Sequence, residues 1–222
     1  MTRKFGIVGL ATGLLLAGSL GASASVIDFT ADPGPDPVAG GTVLGTIGWT
    51  ATFDPNDPSN TQNFDSSSGN EPTSSFGLAF DKDGWGIDDD ELDGASSPPQ
   101  SITITFDTAV KIVGFAFLDL FANEQAGTGG EFGTMTVGGT SVNVNFNVLN
   151  DPLGGYAEKI LDTPLFGSVV TFTAGNTNDA AGVADGALAA LKVAPVPLPA
   201  GGLLLLTALG GVAALRRKRK SA

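Results

Sequence analysis

Between Asp81 and Gly94 the chain reads Asp-Lys-Asp-Gly-Trp-Gly-Ile-Asp-Asp-Asp-Glu-Leu-Asp-Gly, with seven carboxylates inside 13 residues. Carboxylates this close repel one another. A hard divalent cation relieves that repulsion, and calcium accepts roughly six to eight oxygens from flexible acidic loops. The predicted calcium ligands are Asp81, Asp83, Asp88, Asp90, Glu91 and Asp93. The spacing is not that of an EF-hand. Counted from Asp81, Asp83 and Gly86 fall on a ligand place and the glycine place, but Trp85 takes the fifth position and Leu92 replaces the bidentate Glu at the twelfth. The same run reads equally well as a solvated acidic loop.

A second chemistry is suggested by Asn143, Asn145 and Asn147, which alternate with Val142, Val144, Phe146 and Val148. Three amides on the outer face of one strand can hydrogen-bond sugar hydroxyls, with Trp85, Trp49 or Tyr156 stacking on a pyranose face. A plain solvated sheet face is the blander reading, and Trp49 shares its parity with core residues. Catalytic possibilities are narrower. The 222 residues include no cysteine and no histidine, so there is no Ser-His-Asp triad, Cys-His nucleophile, zinc finger, disulfide or ordinary haem ligation. Paired Asp and Glu side chains, as in glycoside hydrolysis, remain open. No single acid sits in a recognisable apolar pocket, so the expectation is a protein that is not an enzyme.

Charge is divided by position. The whole chain has 23 acids against 11 bases, a formal −12. Its ends are basic, with Arg3 and Lys4 at one and Arg216, Arg217, Lys218, Arg219 and Lys220 at the other. From Ser25 to Pro195 only Lys82, Lys111, Lys159 and Lys192 face all 23 acids, a formal −19. Nucleic acid and anionic membrane surfaces repel such a body, so nucleic-acid binding is excluded.

The basic ends belong to targeting patterns. Residues 1–24 combine Arg3 and Lys4, an apolar stretch from Phe5 to Leu20, and Ala22-Ser23-Ala24. This is the form of a secretory signal peptide, cleaved by signal peptidase before Ser25. Residues 194–222 form the other segment. No charge falls between Val193 and Leu215, and the apolar residues from Leu198 to Leu215 span about 27 Å as a helix, close to the hydrocarbon thickness of a bilayer. A transmembrane helix over 200–215 would leave the basic tail, 216–220, on the cytoplasmic side and the acidic body outside. Gly201, Gly202, Gly210 and Gly211 would ease contact with a neighbouring membrane helix. Pro195, Pro197 and Pro199 hold the preceding segment extended, within reach of a membrane-embedded protease.

Val196-Pro197-Leu198-Pro199-Ala200, followed by a Leu/Gly/Ala stretch and the terminal Arg/Lys cluster, resembles the VPLPA-CTERM variant of the PEP-CTERM sorting signals. It covers Val196 to Ala222, with Leu198 where the commoner version has Glu. The resemblance implies a bacterial envelope protein cut near its proline motif by an exosortase-type enzyme and delivered to the cell surface or to exopolysaccharide. Gly86-Ile87 through Glu91-Leu92-Asp93-Gly94, then Ile102 to Phe106 and Gly114-Phe115, also resembles a pattern in PEP-CTERM β-domains. That implies a stable sandwich with a structural acidic turn.

Between the two segments, residues 25–193 read as one all-β domain. Val43, Ile47, Trp49, Ala51 and Phe53 share one parity and Thr42, Thr46, Thr50 and Thr52 the other, predicting a half-buried strand. Ile102, Ile104 and Phe106 alternate with Ser101, Thr103 and Thr105. A turn at Asp107-Thr108 then leads to Val110–Phe121, apolar on both parities, a central strand with a bulge at Gly114. Met135–Val137, Gly138-Gly139 and Thr140–Val142 form a hairpin with a tight two-residue turn. Val142, Val144, Phe146 and Val148 should face inward. Val170 with Phe172, and Leu188–Val193, are later strands. Asp54–Ser75 and Gly127–Gly130 read as loops. The predicted architecture is a single antiparallel β-sandwich of jelly-roll type, large enough for a core without disulfides.

The functional expectation is an exported, surface-sorted β-sandwich protein with a structural or exopolysaccharide-associated role, membrane-anchored by its C-terminal helix until processing. Its partners would be signal peptidase, an exosortase-type enzyme and extracellular polysaccharide. Two alternatives stand beside it: a secreted glycan-active hydrolase using Asp/Glu, and a calcium-dependent adhesion module.

Overall fold

The computed structural model describes residues 23–32, 34, 40–59, 62–88, 91–122, 129–177, 184–196 and 210. Ala22, Asp90, Pro197–Ala200 and, apart from Gly210, the predicted helix 200–215 and the basic tail lie outside the described residues. Among the described residues no helix is long and apolar enough to cross a membrane.

The strands are β1 (Ser25–Asp28), β2 (Gly41–Val43), β3 (Ile47–Asp54), β4 (Pro58–Ser59), β5 (Gly86–Ile87), β6 (Ser101–Leu118), β7 (Gly130–Val137), β8 (Thr140–Asn145), β9 (Ala157–Thr177) and β10 (Ala187–Ala194). A 3₁₀ turn covers Asp151–Leu153. The fold is all-β and antiparallel: one eight-stranded sheet runs β1-β10-β6-β9-β7-β8, with β3 added to β6 and β2 to β3, and β4 pairs with β5 apart from it.

The clearest sequence signal is realised at the β7–β8 hairpin. Val137 pairs with Thr140, and Gly138 and Gly139 turn the chain with φ of 57° and 82°, conformations that favour glycine. The expected Val43–Phe53 parity is also the buried one, while Thr42, Thr46, Thr50 and Thr52 are exposed. That stretch is a hairpin and not one strand, however. Leu44 and Gly45 adopt positive φ, and Val43 doubles back onto Ile47.

No turn occurs at Asp107-Thr108. Strand β6 continues, with its pairing to β9 slipping between Thr105 and Val110 and again between Ile112 and Gly114. The ladder persists because β9 is itself 21 residues long and holds both halves of β6. The second slip is the bulge expected at Gly114. Strand β9 begins well before Val170, at Ala157. Its first half hides from pattern reading because Pro164 and mixed polar residues break the alternation, and Pro164 lies in the second register slip, where no ladder hydrogen bond is lost.

Both faces of β6 and β10 are covered, which explains their uninterrupted apolar character. Phe115, Phe117, Leu188 and Leu191 enter the main core, while Ala116, Leu118, Ala187, Ala189 and Ala190 pack under Phe76, Phe80 and Tyr156. The Phe117 ring also lies directly against the backbone of Gly133 on β7, a strand to which β6 is not hydrogen-bonded. Val148 corrects the expected inward row: β8 ends at Asn145 and Val148 is 63% exposed. Beyond Asn145 the backbone bends into a turn closed by the Asn150 N–H on the Asn147 carbonyl, so period two no longer applies.

Candidate functional site

The carboxylates of Asp81, Asp83 and Asp93 each accept from backbone N–H groups, at separate places in the fold. Asp93 accepts from Ala95 N–H at 2.7 Å and Ser96 N–H at 3.0 Å, and its own N–H donates to Gln100 Oε1 at 2.8 Å. It is the capping residue of the turn that feeds β6. Asp81 accepts from the Asp32 N–H at 3.2 Å. Asp88 is exposed, in a left-handed conformation, with its N–H on the Asp57 carbonyl. Ile87 N–H closes the loop onto the Glu91 carbonyl. Asp83 accepts from Asp65 N–H at 3.4 Å. Among the described residues, no three acids are spaced to hold a metal ion.

Sequence reasoning missed Asp119. It follows the last residue of β6, has φ +57° and is only 9% exposed. Its backbone N–H reaches the Gly154 carbonyl at 3.1 Å. Burial, together with the negative charges of Asp83, Glu91, Asp65 and Asp185, holds its pKa well above the usual carboxylate range. One signal in the sequence pointed to it: Asp119 is the lone acid in the both-parity apolar run Val110–Phe121, and an acid inside such a run is a buried charge. Glu131, also fully buried, is satisfied differently. Its Oε2 takes the Phe121 N–H at 2.9 Å and its Oε1 the Asp185 N–H at 3.5 Å.

The asparagine row divides in two. All three residues are exposed, as expected. Asn143 Oδ1 accepts from Thr134 Oγ1 on the hairpin face, whereas Asn145 and Asn147 line a cleft with Thr73, Val144, Asn150, Tyr156, Ala157 and Glu158, about 320 Å³ in volume. Strand β8 positions Asn145, and the Asn147–Asn150 turn sets the next two amides. Asn147 Oδ1 is used by the Leu149 N–H, leaving its amide donors to the cleft. Asn150 Nδ2 donates to the Tyr156 carbonyl at 2.7 Å, leaving its Oδ1.

Tyr156 forms the floor and is 1% exposed. Its hydroxyl donates to Glu158 Oε2 at 2.6 Å and lies 2.8 Å from Ser74 Oγ. Burial first, then the bond to Glu158, pushes the phenol pKa far above its ordinary value. Glu158 Oε2 also accepts from the Ser75 N–H at 2.9 Å, which ties the loop before Phe76 to β9. The proposed sugar-stacking platforms are corrected by burial. Trp85 is fully buried against Phe29, Trp49 and Phe53, Trp49 is 4% exposed, and Tyr156 stands edge-on to Phe80. Each ring fills the core because its apolar area is worth more there than on a wet face.

No protein-family model matches the chain, and no curated protein matches it. Chemically, the cleft offers amide donors, amide acceptors and one carboxylate edge with little apolar lining. Such a surface exchanges hydrogen bonds with water or with a polyhydroxylated ligand at small net gain per contact.

Proposed function

We propose that the chain is an exported, surface-sorted β domain that associates with extracellular polysaccharide through the Asn145–Asn147–Glu158 cleft and performs no catalysis. The observation carrying this reading is the lining itself. Amides with unused donors and acceptors surround a carboxylate fixed by Tyr156, a pattern suited to vicinal hydroxyls. Without an aromatic platform each contact is weak, so useful affinity would come from many copies meeting a repeating polymer. Among the described residues Glu158 is the one carboxylate lining the cleft, and hydrolysis of a glycosidic bond ordinarily uses two.

The export and sorting part of the proposal draws support from where the ladder begins and ends. Strand β1 starts at Ser25, the first residue left by the proposed signal cleavage, and β10 ends at Ala194, just before the Val196 motif. Membrane anchoring through the C-terminal segment and exosortase-type processing belong to the same reading. So does a jelly-roll-like sandwich, creased at the two register slips of β6, which the contact of Phe117 with Gly133 supports.

Equilibrium binding of the purified full chain to exopolysaccharide from its host is the test. Binding without release of reducing ends, weakened at least about tenfold by Asn145→Ala with Asn147→Ala, is expected, as two lost hydrogen-bonding amides imply. New reducing ends would establish the hydrolase alternative. Undiminished binding by the double variant would remove the cleft from the proposal. Intact-mass measurement on protein from the native host should find the residues after the proline motif removed.

A further inference from the structure

The outer face of the sheet formed by β1, β10, the end of β6 and the start of β9 is covered over only part of its length. Directly paired residues share a face, so Val26, Lys192, Gly114 and Ile160 make one row across the four strands, and Ala194, Lys111 and Phe166 make the next. Ala116, Ala190 and their neighbours lie under Phe76 and Phe80. That cover stops at the first of the two rows. A Cβ added to Gly114 would lie 2.9 Å from the Phe76 ring, and Lys192 Nζ stands 4.9 Å over the same ring. Past it, Ile160 is 48% exposed and Phe166 58%. Two of the four lysines between Ser25 and Pro195 thus share a strip with two exposed apolar side chains. Of the acids along β9, Glu158 is held by the Ser75 N–H, and Asp162 falls in the register slip between Ile160 and Phe166.

The strip lies at the end of the domain where β1 begins and β10 stops. Ser25 is opposite Val193, and Ala194, in the outer row, is the last residue of β10. Leu198, where the uncharged apolar stretch to Leu215 begins, is four residues further, at most about 14 Å of extended chain. We propose that Lys111, Ile160, Phe166 and Lys192 form the surface through which the domain rests on the phospholipid bilayer that holds its C-terminal segment, an inference that rests on the anchoring reading given above. Phe166 and Ile160 enter the boundary between headgroups and acyl chains, while the two lysines keep their ammonium groups at the lipid phosphates. The charge of the whole body opposes an anionic surface. A tethered domain, however, meets the membrane at a high effective concentration, so a small patch suffices.

Tryptophan fluorescence of the full chain, reconstituted in phosphatidylcholine vesicles with acyl chains brominated near the headgroup, tests the proposal. Phosphatidylcholine carries the phosphate without repelling the acidic body. Trp49 and Trp85 are buried, so a tryptophan placed on the surface reports its own surroundings. In Phe166→Trp the added emission should shift to the blue and be quenched by the bromine, whereas in Leu149→Trp, in the exposed turn before β9, it should be neither. Should Phe166→Trp not fold, Ile160→Trp reads the same surface. Lys111→Glu with Lys192→Glu should leave the protein on the vesicles and abolish the quenching at position 166. Vesicle flotation separates the two readings. Protein that does not float removes the anchor and this proposal with it, while protein that floats with position 166 unquenched overturns the docking alone. Quenching that survives the two lysine substitutions, or is equal at position 149, also overturns it. A blue shift that grows with protein concentration in lipid-free detergent gives the strip to a second copy of the chain instead.

Discussion

Tyr156 is the chain's single tyrosine, so its phenol can be followed by absorbance without interference from another. Its pKa is raised in the folded protein, first by burial and then by the bond to Glu158. The stabilisation this implies is complete below about pH 10, where the unfolded phenol also keeps its proton, and is lost as pH rises beyond that. Tyrosinate absorbance should therefore appear only together with loss of the native circular dichroism. Ionisation near pH 10 in a protein still folded would contradict the buried floor. Tyr156→Phe should cost about 1–3 kcal/mol in denaturant unfolding, since Glu158 and Ser74 lose a partner at a site largely closed to water. At this scale the sequence was readable where a side chain's role follows from alternation, as for the exposed Asn143 and Asn145 on β8. It was not readable for Trp85, whose partners come from distant segments, and for Asp119 the apolar run signals burial but not the distant acids around it.

Strands are where pattern and architecture part company. The β7–β8 hairpin was visible because its turn demands two glycines in adjacent places, a purely local requirement. The continuity of β6 through Asp107 and Thr108 was not visible, because the hydrogen bonds that carry it forward come from β9, more than fifty residues later. Pro164 is likewise accommodated by a slip that exists only once β6 and β9 are aligned. One contact tests the face-to-face packing that links these elements. Gly133→Ala would drive a methyl group into the Phe117 ring, and overpacking of this kind costs about 1–3 kcal/mol. Phe117→Ala, which empties the same contact from the other side, should cost about 3–5 kcal/mol. If the combined variant were as stable as Phe117→Ala alone, the two effects would share one origin, as contact requires. Simple additivity would place Gly133 elsewhere.

For the whole molecule, charge governs how a polymer is met. A body of −19 between Ser25 and Pro195 repels an anionic polysaccharide over roughly 30 Å at 10 mM salt but only about 8 Å at 150 mM. Association with an anionic polymer should therefore strengthen as salt is raised across that range, while association with a neutral one should stay constant. Binding that weakened with salt would mean cation–anion attraction dominates, against the amide-lined cleft. Strand β1 lies along β10, with Ser25 opposite Val193, so the first and last strands of the sheet form one seam. A tether leaving the domain after Ala194 would pull along the axis of β10, which is held on both sides by β1 and β6. Ladder hydrogen bonds run across that axis, so the load would fall on all of them together in shear instead of unzipping them one at a time. In the anchored protein proposed above, that seam would carry the load in the direction where the fold resists it best.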